Sequence, residues 1–158
     1  MLNMLPKNLL CFSPVRWDFV MYRPQQLLVR FAEQASVYFF EDPVFDAEDT
    51  PYLSYATRSE TLWKVEPHLK AGLTQEDVDA ALALLLDQLL RDADMDQWIF
   101  WYYAPPPLPF TRKYNPRLVI YDHVKPADGN ADWNTIFSSV MQQIDEKLPD
   151  KSLIDLFA

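Results

Sequence analysis

"FSPVRWDFVMYRPQQLLVRFA", residues 12–32, decides the fold. It opens on the end of an apolar run, Asn8 to Ser13, which Pro14 stops. Runs of this kind suit a strand buried on both faces. Pro24 sits where a helix's first residue would be, and its missing N–H costs nothing there. Leu27, Leu28, Phe31 and Ala32 then recur at one-face helical spacing. Residues 36–42, SVYFFED, are β-branched and aromatic and predict a second strand. Strand, helix and strand make a βαβ unit, whose parallel crossover is expected to be right-handed.

The loop between strand and helix, residues 14–23, carries Arg16 and Arg23 beside Trp17, Asp18, Phe19 and Tyr22. Two readings stand side by side. The guanidiniums and the helix start hold a carboxylate, sugar or phosphate while the rings stack on a sugar face. Alternatively, the loop folds over the sheet end, with Trp17 and Phe19 packed and Arg23 paired to Asp18 or Asp42.

Working outward, residues 43–60 are acidic, contain two prolines and read as a loop. TLWKVEPHL, 61–69, predicts a third strand. Thr74 is a candidate N-cap for the helix QEDVDAALALLLDQLLRD. Acids fill the first turn of that helix and an arginine its last, as the macrodipole favours. DQWIFWYYA, 96–104, is an aromatic strand, and the proline run PPPLPF breaks regular structure after it. RLVIYDH, 117–123, is a further strand, and WNTIFSSVMQQIDEKL, 133–148, has helical periodicity. KSLIDLFA is too short to classify and is left as a docking final turn. Alternation of this kind predicts an α/β fold: a doubly wound, mostly parallel sheet with helices on both faces, Rossmann-like in three αβα layers. Ligands bind such sheets outside the carboxyl ends of the strands. The loop at 14–23, the proline run and the YDH end all follow strands, so Tyr103 and Asp122 join the candidates there.

The chain has 158 residues and is expected to form a single domain, 1–158. Its formal charge of −9 argues against nucleic acid as a partner. With only Gly72 and Gly129, it has neither a GxGxxG nor a P-loop, which argues against dinucleotide and NTP chemistry. No cofactor is called for. Cys11 lies in an apolar run and reads as a buried small hydrophobe. His68 and His123 form no metal-ligand pattern, so no metal site is expected. The acids at 41–49 read as a solvated loop or a cation site. No window is long and apolar enough to span a bilayer. The N-terminus is a poor signal peptide, so a cytoplasmic location is expected.

The stretches "FSPVRWDFVMYRPQQLLVRFA", "VYFFEDPVFD", "VEPHL", "WIFWYYAPPPLPF" and "LVIYDH" resemble, in order and spacing, the N-terminal half of bacterial GT-B glycosyltransferases. The similarity is to those of the family-four, capsule and teichuronic-acid type. Their pattern is S-x-x-x-W-D-F…Q-R-P-Q-x-L…R-x-A, then W-Y-Y-x-P, then Y-D-x-x-D-E at a strand end. The match covers roughly residues 9–124. The resemblance implies an acceptor-side, Rossmann-like domain that faces a nucleotide-sugar domain across a cleft. It implies that Arg16, Trp17, Asp18 and Arg23 are cleft residues, with Tyr103 and Asp122 nearby; no catalytic residue is assigned. Two departures go with it. The family's second acidic pair after Y-D is absent from YDHVKPADGNADW. The donor-binding region also has no counterpart before Ala158, and catalysis requires both substrates positioned together.

The implied function is therefore the acceptor half of an enzyme of cell-surface polysaccharide synthesis, inactive alone. It would work with a donor-domain partner and bind a glycan or lipid-linked acceptor. The alternative is a non-catalytic binding or scaffold module that keeps the fold, as a homodimer where the cleft edge is apolar. A flavodoxin-like enzyme is the third class, disfavoured by the missing phosphate loop.

Overall fold

A computed structural model describes residues 5–18, 23–103, 109–122, 132–150 and 153–156. The strands are β1 (Asn8–Ser13), β2 (Ser36–Glu41), β3 (Tyr52–Ser59), β4 (Leu62–His68), β5 (Trp98–Tyr102), β6 (Leu118–Asp122) and β7 (Leu153–Leu156). The helices are α1 (Arg23–Phe31), α2 (Gln75–Leu89) and α3 (Trp133–Lys147). One sheet holds all seven strands in the order β3-β4-β2-β1-β5-β6-β7. Only β3 runs antiparallel to its neighbour. Counted without β3, the parallel strands run third, second, first, fourth, fifth, sixth along the sheet. This is the Rossmann-like α/β arrangement expected from the alternation, and the order reverses between β1 and β5.

Successive side chains of the central strands serve different layers. Leu9, Cys11, Phe39, Trp101 and Ile120 pack with Leu28, Phe31, Val140 and Ile144 of α1 and α3. Leu10, Phe12, Phe40 and Phe100 pack with Val78, Leu82, Leu85 and Leu86 of α2. Helices thus cover both faces, which is why these strands read as unbroken apolar runs. Cys11 is fully buried, and burial, reinforced by the charge of Asp122, pushes its thiol well up. α1 and α3 share a face, yet α1 carries the chain from β1 to β2 and α3 carries it the opposite way along the sheet. The two crossovers are therefore of opposite hand, a departure from the usual right-handed rule for one of them.

Three expectations change. Residues 52–59 of the stretch read as an acidic loop, 43–60, are β3, which forms a hairpin with β4 through Glu60 and Thr61. As the sheet's outermost strand it buries little on either side, so no alternation marks it, and no glycine marks its turn. KSLIDLFA supplies β7, four residues long and parallel to β6, instead of a final turn. α2 ends at Leu89, so Arg91 lies beyond its last turn. The start of α2 is as expected: the Thr74 side chain accepts from the Asp77 N–H, and Glu76 and Asp77 sit in the first turn.

Candidate functional site

The carboxyl ends of β1, β2, β4 and β5 lie side by side, and the loop after β1 crosses them. Its conformation is fixed by buried polar groups from two other elements. Glu41, the last residue of β2, is paired in register with Ser13, and its carboxylate is fully buried. Oε1 accepts from Arg16 Nη1 at 3.0 Å, and Oε2 accepts from the Trp17 backbone N–H at 2.8 Å. From the first turn of α1, buried Gln25 donates through Nε2 to the Trp17 carbonyl at 2.7 Å. The indole of Trp17 stands edge-on to Phe39, with ring centres 5.2 Å apart. The R-P-Q of the opening stretch therefore has a structural role, since its glutamine holds the loop that the arginine and tryptophan occupy.

Arg16 is engaged within the chain. Besides Glu41, Nη1 reaches Glu66 of β4 at 3.1 Å, and Nη2 reaches the Pro43 carbonyl at 3.4 Å. Asp18 faces the hairpin, accepting from Arg58 at 2.6 and 3.0 Å and from Lys64 at 3.2 Å. Hydrogen bonding from Arg58 holds its carboxyl below the ordinary value. A carboxyl depressed in the folded chain adds stability above its unfolded value and loses it as pH falls through its folded one. Asp18 is half exposed, so this is worth about 0.5 kcal/mol. Arg58→Ala is expected to lower urea stability by that amount at neutral pH and by nothing measurable near pH 2.

Tyr103 follows β5. Its backbone N–H donates to the Phe12 carbonyl at 2.9 Å, and its half-buried ring tilts against Trp101 at 6.0 Å. Asp122 ends β6 and is buried. Both are on the α1 face, as Arg16 is, but Arg16 reaches away from them across β2 to β4. Among the described candidates, Arg16 and Asp18 turn toward β4 and the hairpin, while Tyr103 and Asp122 stand at the ends of β5 and β6. Phe19, Tyr22, His123 and the side chain of Arg23 lie outside the described residues.

A ligand-sized cleft of about 490 Å³ opens at the same edge on the α2 side. Phe12, Phe40 and Phe110 form its floor, with Phe45 half exposed at its mouth. Glu41, Asp42 and Asp79 contribute its charge, and burial raises the Asp42 carboxyl against the opposing pull of Arg16. None of Arg16, Trp17, Asp18, Tyr103 and Asp122 lines it. Sequence reasoning missed this cleft because four separate elements build it. The one local signal was a pair of acids, Glu41 and Asp42, closing an aromatic strand.

The remaining polar cluster surrounds His68, at the end of β4. Asp46, Ser54 and Glu66 all reach its ring, and Tyr52 stacks on it with centres 4.4 Å apart. Among the described residues no group of three or more His, Cys, Asp and Glu side chains has the arrangement of a metal site. No described helix is long and apolar enough to cross a membrane.

No protein-family model and no curated protein matches the chain. Among solved structures it is similar to an Escherichia coli chain described as trehalose-6-phosphate bound with UDP-2-fluoro glucose, a GT-B glycosyltransferase. The identity is 17% and the TM-score 0.50, over 73% of this chain and 32% of that one. At this identity the likeness shows the fold, a Rossmann-like α/β sheet shared with a GT-B enzyme of which this chain spans about a third of the length.

Proposed function

We propose that residues 1–158 form the acceptor-side domain of a GT-B glycosyltransferase that builds cell-surface polysaccharide in the cytoplasm, with no transferase activity without a nucleotide-sugar domain. The observation that carries this reading is the position of the cleft. It opens at the carboxyl ends of β1 and β2, beside the point where strand order reverses, where sheets of this type bind ligands. Its chemistry narrows the acceptor. Phenylalanine rings suit the apolar face of a sugar or its aglycone, and carboxylates accept hydrogen bonds from hydroxyls. The same carboxylates repel phosphate. Arg16 supplies no counter-charge for one, since Glu41 and Glu66 already hold it. A neutral glycan fits better than the anionic acceptor that two arginines suggested.

Amide NMR tests this. Titration with octyl glucoside is expected to shift Asp42, Phe45 and Asp79, whereas glucose 6-phosphate leaves them in place. The purified chain is expected to leave UDP-glucose intact; steady hydrolysis would contradict an inert half. The full engagement of Arg16 also favours a second reading, a binding module that has kept the fold and lost the chemistry. A defined dimer in sedimentation, with no shift from any glycoside, would select it.

A further inference from the structure

The cluster around His68 has an order that the proposed acceptor role does not use. Asp46 Oδ1 lies 2.7 Å from His68 Nδ1, and Ser54 Oγ lies 2.8 Å from Nε2. An ionised carboxylate only accepts, so Nδ1 carries the hydrogen toward Asp46. That makes Nε2 an acceptor for the Ser54 hydroxyl, which lies closer to it than to its other acceptor, the Glu66 carbonyl at 3.5 Å. The imidazole is buried and clamped under Tyr52, while Ser54 is exposed on the outermost strand. A nucleophile, a base on its oxygen and a carboxylate orienting the base are the three parts of a hydrolytic triad. They come from the loop after β2, from β3 and from β4.

A donor for an oxyanion follows from the register. Val44 donates to Pro67 and accepts from Leu69, so odd-numbered residues of β4 face Val44 and even-numbered ones face β3. Ser54 is paired with Glu66 and spends its own N–H and carbonyl on that ladder. The N–H groups of Leu53 and Tyr55, on either side of it, therefore point out from the free edge; they lie about 7 Å apart along the strand, so one of them, not both, can donate to an oxyanion. Glu66 Oε1 lies 3.3 Å from Nε2. A carboxylate accepts from Nε2 only when that nitrogen carries a hydrogen, so its charge acts on the imidazolium formed when the base takes a proton.

We propose that Ser54, His68 and Asp46 form an acyl-transfer site for carboxylic esters of small acyl groups, such as an O-acetyl group. Ser54 Oγ attacks the acyl carbon and its proton passes to Nε2. The bond to the leaving oxygen breaks, and Nε2 returns the proton to that oxygen. Water, deprotonated by the same nitrogen, then releases the acid and restores the hydroxyl. The site is separate from the cleft, and the acceptor reading stands or falls without it.

The test uses the full chain with p-nitrophenyl acetate and a fluorophosphonate probe. The expected result is one phosphonyl group per chain, found on Ser54 by peptide mass spectrometry, together with ester hydrolysis that Ser54→Ala abolishes. Asp46→Asn is expected to slow hydrolysis about a hundredfold or more, and Glu66→Gln to slow it less, by removing the charge beside the imidazolium. Ser54 and Asp46 are both exposed, so these variants keep the fold. Labelling of any other residue, or equal hydrolysis by Ser54→Ala, overturns the proposal.

Discussion

Phe12→Ala is expected to cost about 3–5 kcal/mol, the range for deleting a large buried ring. The side chain is only 1% exposed and lies at the centre of an aromatic cluster. It stacks on Tyr102 with centres 5.0 Å apart, and meets Phe100 edge-on at 5.6 Å and Phe110 at 6.0 Å. Its neighbours come from β2, β5 and the turn after β5, so no single element can relax into the space left behind. At this chain length the loss corresponds to a melting point lower by roughly 10 °C. The same ring is the cleft floor, so glycoside binding should weaken in step with stability. Phe45→Ala separates the two effects: Phe45 is 49% exposed, so its loss should leave the melting point within about a degree or two while still weakening binding. An unchanged affinity in Phe45→Ala would move the ligand elsewhere.

What could be read from sequence divides along a physical line. β1, α1, β2, β4, β5, β6 and both later helices have many buried residues in a row or at helical spacing, and burial writes the pattern that identifies them. β3 and β7 sit at the two edges of the sheet. An edge strand is specified by its partner's free hydrogen bonds more than by its own apolar face, and neither YLSYATRS nor LIDL carries enough pattern to be recognised. Missing β3 had a further consequence. Without it Ser54 has no fixed position, and His68 stood as a lone histidine at a strand end.

The site divides similarly. Positive charge at the end of β1 was legible, but its partners were not. Glu41 and Glu66 are 25 and 50 residues from Arg16, and they meet it only because β2 and β4 lie next in order beside β1. Read from sequence, the partners weighed for Arg23, whose side chain lies outside the described residues, are nearby acids only. Register, not proximity along the chain, decides the partners of Arg16.

That network yields the second large effect, and it is asymmetric. Arg16→Ala is expected to cost about 3–5 kcal/mol, because it leaves the fully buried Glu41 carboxylate with the Trp17 N–H as its remaining partner at that end. Glu41→Ala should cost less, about 2 kcal/mol, since the guanidinium is 24% exposed and still has Glu66 and water. Removing both charges at once, as Arg16→Met with Glu41→Leu, should recover most of the Arg16→Ala loss, as apolar replacements of buried ion pairs commonly do. Urea melts of the three variants measure this directly. If Arg16→Ala and Glu41→Ala cost the same, the burial of Glu41 is not what makes the pair matter. If the double variant keeps both its stability and its affinity for the glycoside, the arginine at the end of β1 serves to place Trp17 and the loop, and the recognition chemistry belongs to the aromatic cleft on the other face of the sheet.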